Sequence, residues 1–341
     1  MNLRSSVALA GVAAAMLLPS AALAQSDGAS VGRGLIPGGG GGGGGGTPTP
    51  PAPAKIKLKL KGLHGGNAKV GDRIEAIGTV TPFVGHQKVE IRLGNRGDTA
   101  LKKTPYVHKV KGKKYGRFSI RSKPLMEAGK YRVRVHKLPT ARQQGARAKS
   151  RAFGLKYPDL DPGDSGPAVA VFNDLLREQA YYDTDQSTYG SHTERAVLAF
   201  RKVNGMERNY QATPEIFQML AAGKGGFNIK YPGAGKHVEV DISKQVMALA
   251  DGGKAKYVFH VSTGAAATPS DQGGYTFYSK SPGFNSLGMY YSVYYNKGEA
   301  THGYHSVPPY PASHGCIRNP IPDSIFIYNW IDLGDKMFVY L

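Results

Sequence analysis

The only cysteine of the 341-residue chain, Cys316, stands in the segment Ser313-His314-Gly315-Cys316-Ile317-Arg318, with His302 and His305 a short way upstream. His260 lies in an earlier apolar segment. A thiol becomes a nucleophile when a neighbour removes its proton, and an imidazole has the right pKa for that task. The attack also needs a group that orients the imidazole and backbone N–H groups aimed at the developing oxyanion. Gly315, directly before the cysteine, lets the main chain come close to a substrate carbonyl. Two other readings use the same residue types. A free cysteine is often simply buried. His302, His305, His314 and Cys316 are also zinc-type ligands, although they lack a C-x-x-C or H-E-x-x-H frame. Residue types alone leave all three open.

The wider pattern resembles one family. Ser313 to Arg318 is similar to the signature of the L,D-transpeptidase catalytic domain of the YkuD type. Val261-Ser262-Thr263-Gly264 followed by Thr268-Pro269 resembles that family's STG…TP segment, and His302-Gly303 its histidine motif. The resemblance covers residues 235–341. It implies Cys316 as nucleophile and His302 as base, with the Gly303 carbonyl holding the imidazole. The backbone from His314 through Gly315 to Cys316 would form the oxyanion hole, and Ser313 and His314 would shape the site. His305 is set aside, because the family's histidine is followed directly by glycine. Arg318 is expected to pair with a carboxylate, of the fold or of the substrate. Tyr291 is expected either to line the donor site or to pack. The sequence departs from the family pattern in a longer turn, residues 268–274, and in a short stretch of ten residues between His302 and Ser313.

The reaction implied is acyl transfer on peptidoglycan stem peptides. The thiol attacks a tetrapeptide donor, D-alanine leaves, and a stem-peptide amine resolves the thioester into a 3→3 cross-link. Water as acceptor would make a carboxypeptidase, and a non-catalytic wall-binding scaffold is the remaining alternative. No metal or organic cofactor is implied.

The elements that must hold these residues read as a multidomain, mainly β chain. Residues 235–341 show strands at His237–Asp241, Gln245–Ala250, Lys256–Thr263 and Lys336–Leu341, with aromatic strand-like segments around Tyr275 and Tyr290. Residues 158–222 predict a small three-helix domain. Its first stripe is Val169, Phe172 and Leu176; Thr193 is the expected N-cap of the second helix, and Thr213-Pro214 opens the third. Its Tyr181-Tyr182…Thr193…Ala196-Val197…Phe200 pattern resembles a peptidoglycan-binding domain. Residues 55–156 alternate apolar residues with Lys and Arg at period two, between Gly, Pro and Asn turns. This predicts a basic, Ig-like antiparallel β-sandwich.

The first residues read as an address. Arg4, the apolar run Val7–Leu18, Pro19 and Ala22-Leu23-Ala24 make a secretory signal peptide over 1–24, too short for a transmembrane anchor. Residues 25–54 are a Gly/Pro-rich linker. The expected protein is therefore exported and associated with the cell wall, without a membrane anchor.

Charge is distributed unevenly. Lys and Arg number 44 against 24 acids, a formal +20. Residues 55–156 alone hold 27 basic and five acidic residues, while residues 157–341 are slightly acidic. A uniformly basic protein is thus excluded, and so is a disulfide framework, with one cysteine. Anionic wall polymers are the expected partner of residues 55–156, ahead of nucleic acid.

Overall fold

A computed structural model describes residues 50–95 and 99–341. The expected leader, 1–24, and linker residues 25–49 lie outside the described residues. No helix among the described residues is long and apolar enough to cross a membrane.

The basic segment forms Lys55–Lys61 (β1), Ala68–Lys69 (β2), Glu75–Thr81 (β3), Glu90–Gly94 (β4), Leu101–Lys103 (β5), His108–Lys109 (β6), Gly116–Arg121 (β7), Gly129–Lys137 (β8), Ala146–Lys149 (β9) and Phe153–Lys156 (β10). One sheet runs β1-β3-β7-β6 and the other β2-β10-β8-β4-β5, with β9 also on β8. The period-two pattern acts as expected. Val80, Ile91, Leu93, Phe118, Val133 and Val135 are buried between the sheets, while Arg92 and Arg134 point to solvent. Gly78 is required by the Phe118 ring, which occupies the space a Cβ would take.

Pro167–Glu178 (α1), Ser191–Val203 (α2) and Pro214–Ala221 (α3) follow. The expected stripe Val169, Phe172, Leu176 is buried, and Thr213 caps α3 by accepting from Ile216 N. Thr193 is not the cap of α2. It lies inside the first turn, fully buried, and the Asp185 carboxylate takes over by accepting from the N–H groups of His192 and Thr193 at 3.2 and 3.1 Å. A carboxylate at a helix N-terminus satisfies orphan donors and complements the dipole, so an acid from the preceding loop can replace a local cap.

The C-terminal segment contains Lys236–Asp241 (β11), Val246–Asp251 (β12), Lys254–His260 (β13), Gly273–Thr276 (β14), Ser279–Phe284 (β15), Tyr290–Asn296 (β16), Glu299–Tyr304 (β17), Ile317–Pro320 (β18), Ile321–Trp330 (α4) and Lys336–Tyr340 (β19). They make a five-stranded sheet, β13-β12-β11-β19-β14, and a four-stranded one, β15-β16-β17-β18. The apolar faces meet in a core that includes Val240, Leu249, Phe259, Val293, Ile317, Ile327 and Val339. Helix α4 was not expected. Its residues are apolar or aromatic almost all round (Ile321, Ile325, Phe326, Ile327, Tyr328, Trp330), so no 3.6-residue stripe announces it.

The helices and the C-terminal sheets are fastened together. Val258 N donates to Ala180 O at 2.7 Å and Tyr182 N to Val258 O at 3.2 Å, which adds the chain at residues 180–182 to the edge of β13. Tyr182 inserts between Phe259 and Phe326, with ring centroids 4.8 and 4.5 Å away. Arg195 on α2 forks onto Asp323 on α4 at 2.9 and 2.8 Å, both side chains largely buried. Lys202, also on α2, donates to Gln245 O at 3.0 Å and Val261 O at 2.9 Å, and its Nζ lies 2.8 Å from His260 Nδ1.

Candidate active site

Strands β17 and β18 run parallel in the register Thr301↔Ile317, His302↔Arg318. Side chains alternate across a sheet. His302, Tyr304 and Arg318 therefore share one face, and Cys316, two residues before Arg318, continues it. Thr301, Ile317 and Asn319 take the opposite face and are buried in the core. Parallel pairing thus brings together residues from two strands separated by the twelve residues 305–316.

His302 is buried, and its Nδ1 lies 2.9 Å from the Gly303 carbonyl. A carbonyl can only accept, so Nδ1 carries the proton and Nε2 keeps its lone pair. Burial lowers the imidazole to about 4, with the nearby Arg318 guanidinium adding to the effect and the Gly303 bond opposing it. The Cys316 thiol is partly exposed and 3.9 Å from Gly298 O. Burial pushes its pKa up, the Glu299 carboxylate pushes the same way, and Arg318 opposes. Thiol and imidazole are therefore both neutral at rest.

Gly303 is held by a close neighbour. The Ser324 hydroxyl sits where its Cβ would be, and that hydroxyl donates to Asn319 Oδ1 at 2.7 Å, while Asn319 Nδ2 donates to Thr301 Oγ1 at 3.2 Å. Helix α4 thereby fixes the backbone that orients His302.

The cysteine loop is tied at several points. Ser313 Oγ donates to Cys316 O at 2.5 Å and accepts from Gly315 N at 3.2 Å. Gly315 has φ +118°, and a Cβ there would meet Glu299 Oε1 at 2.9 Å, so both conformation and space demand glycine. The segment after β13 clamps the loop from below. Ala265 N and Thr268 Oγ1 both donate to Ser313 O at 2.8 and 3.0 Å, and Ser270 Oγ donates to Gly315 O at 2.5 Å while accepting from Gly264 N at 2.9 Å. The lengthened turn at 268–274 is thus a clasp built around Ser270. His314 is exposed beside this loop.

Residues 305–312 arch between β17 and the cysteine loop. Ser262 Oγ donates to Tyr310 O at 2.7 Å, Ala312 N donates to Thr263 O at 2.9 Å, and Arg208, from the helical segment, donates to Pro309 O. His305 stacks on Tyr304 at 4.2 Å. Arg318 lies with its guanidinium carbon 4.1 Å from the Tyr304 ring centre and makes no ion pair among the described residues. Tyr291, at φ +49° in an irregular part of β16, packs edge-on against Tyr290 and Tyr328 at 4.7 and 5.0 Å. Two residues beside Gly315 escaped the motif reading: Glu299, the first residue of β17, and Ser270, hidden in an extended loop. No group of three or more metal-type side chains forms among the described residues.

Residues 235–339 match the YkuD family, described as the L,D-transpeptidase catalytic domain. The likeness to solved structures is broader. An L,D-transpeptidase (residues 123–326) from Xylanimonas cellulosilytica DSM 15894 is 27% identical, covers 54% of this chain and 98% of its own, and superposes with a TM-score of 0.50. That span exceeds the family segment, so it reaches into the residues before it. An L,D-transpeptidase from Stackebrandtia nassauensis is 24% identical over 53% of this chain and 95% of its own (TM-score 0.35). One from Mycobacterium tuberculosis H37Rv is 24% identical over 30% of this chain and 57% of its own (TM-score 0.29). A comparison with curated proteins returned no match.

Proposed function

We propose that the chain is an exported peptidoglycan L,D-transpeptidase that works through a thioester on Cys316. The observation that carries this reading is the shared face of Cys316, His302 and Arg318, with the His302 Nε2 lone pair left free by the Nδ1–Gly303 contact.

The chemistry follows from the neutral ground state. As Sγ attacks the carbonyl of the donor's third residue, its proton passes to His302 Nε2. The resulting imidazolium is stabilised by the Gly303 carbonyl at Nδ1. Gly315 N–H is already engaged with Ser313 Oγ, so the oxyanion falls to the N–H groups of His314 and Cys316. Collapse of the tetrahedral intermediate breaks the peptide bond; the proton moves from Nε2 to the leaving nitrogen, and D-alanine departs. An amine of a second stem peptide then attacks the thioester, gives its proton to His302, and the thiolate leaves to be reprotonated. Ser313 keeps the cysteine loop closed throughout. Arg318, without a carboxylate partner among the described residues, is available to a carboxylate of the substrate. The same chain would carry the wall-directed modules at 55–156 and 158–222 behind a cleaved leader.

Incubation with a stem tetrapeptide, read by mass, tests this. The expected products are free D-alanine, a thioester adduct on Cys316, and a cross-linked dimer when an acceptor is present. Cys316→Ala should yield none of them. D-alanine release without any dimer would make the enzyme a carboxypeptidase. Absence of both release and adduct would leave only a scaffold role.

A further inference from the structure

The outer face of one sheet of the basic module carries an alignment that folding alone does not favour. In register, Lys102 lies opposite Arg92, Arg92 opposite Arg134, and Arg134 opposite Lys149. Four cations thus form one row across β5, β4, β8 and β9. A second row, two residues along, runs from Glu90 opposite His136 to His136 opposite Arg147. With strands 4.7–4.9 Å apart, the four-strand row spans about 14 Å. Like charges directly opposite each other on a sheet are destabilising. Among the described residues the one carboxylate on this face, Glu90, is already engaged by Arg92 at 2.8 Å and Lys102 at 3.2 Å. Arg134, Arg147 and Lys149 make no ion pair among the described residues. Arg92, Arg134 and Lys149 of the first row, with Glu90, His136 and Arg147 of the second, line a groove of about 560 Å³.

We propose that this face is a binding site for a linear phosphodiester polyanion, a polyol-phosphate polymer of the cell envelope. Guanidinium forks engage phosphate oxygens in pairs, and three arginines stand in or beside the groove. No Phe, Tyr or Trp projects from the outer face of these four strands, so a stacking platform for bases is missing. That argues for a polymer without bases. The choice of an envelope polymer rests on the exported-enzyme reading above, whereas the cation ladder stands by itself.

The full chain titrated with poly(glycerol phosphate) of defined length at several salt concentrations tests the site. Arg134→Glu/Lys149→Glu is expected to weaken binding at least about tenfold and to lower the slope of log affinity against log salt by about two. Lys57→Glu/Lys59→Glu makes the same charge change on β1, in the other sheet, and should stay within about threefold of the parent. If the Glu pair disturbs folding, Arg134→Gln/Lys149→Gln replaces it and should melt no lower than the parent, because a repulsion is relieved. Absent binding, unchanged binding in the ladder variant, equal loss in both variants, or tighter binding to duplex DNA of equal charge each overturns the proposal. Polymer binding by a chain whose Cys316 takes no acyl group would sink the enzyme reading and leave this site standing.

Discussion

A carboxylate beside a nucleophilic sulfur looks counterproductive, because it disfavours the thiolate. Glu299 nevertheless accepts from Asp271 N at 3.1 Å and from Asn296 Nδ2 at 3.1 Å, which holds it against Gly315. With His302 lowered to about 4, the proposed base is neutral over the whole neutral range. The acid limb of kcat/KM should therefore lie near pH 4, with no inflection at the ordinary histidine value near 6.5. An inflection at 6.5 would mean that His302 is not buried or is not the base. Cys316 alkylation by iodoacetamide in the free enzyme should keep rising beyond the pH at which an ordinary thiol levels off. Glu299→Gln should move that profile to lower pH by removing the nearby negative charge. The sign for stability follows from the same shift. Because folding depresses the His302 pKa, its contribution is complete above the unfolded value near 6.5 and is lost as pH falls toward about 4.

At the scale of elements, the Arg195–Asp323 fork links α2 to the first turn of α4. Burial raises the Asp323 carboxyl, and Arg195 pulls it back down. Arg195→Ala leaves a buried carboxylate uncompensated and should cost about 3–5 kcal/mol in a denaturant melt, whereas Arg195→Met/Asp323→Leu should recover most of it. Loss of the same size in the double variant would show that the apolar packing, not the charge, was at fault. How far the sequence foretold these elements varied with the range of the contacts. Strands with one buried face were legible, since Ile91, Leu93, Val133 and Val135 alternate with charges in the chain itself. The motifs around Cys316 and His302, the proposed nucleophile and base, stood out because each is a short run of residues adjacent in the chain. Helix α4 was not, because it is apolar on every side, and neither was the Asp185 cap, which comes from the loop before the helix. Ser270 and Ser324 act across the fold on Gly315 and Gly303, and no local pattern marks them.

For the whole molecule, the helical segment is closely joined to the C-terminal sheets. Tyr181, Tyr182 and Phe200, part of the sequence pattern that suggested a peptidoglycan-binding domain, sit in or beside its junction with the C-terminal sheets. Tyr182 is among Phe259 and Phe326, and Tyr181 packs on Phe200 at 5.4 Å. A chain beginning at residue 228 would expose that junction and leave Gln245 O and Val261 O without the Lys202 ammonium. It is expected to lack cooperative unfolding by near-UV circular dichroism, and a sharp transition would count against this description. The Arg208 contact with Pro309 carries a separate consequence. The arch at 305–312, which joins β17 to the cysteine loop, has its outer anchor on the link between α2 and α3, so it is held partly from outside the catalytic sheets. Warming that loosens the helices first should make the enzyme less choosy about the size of the incoming amine before it makes it inactive.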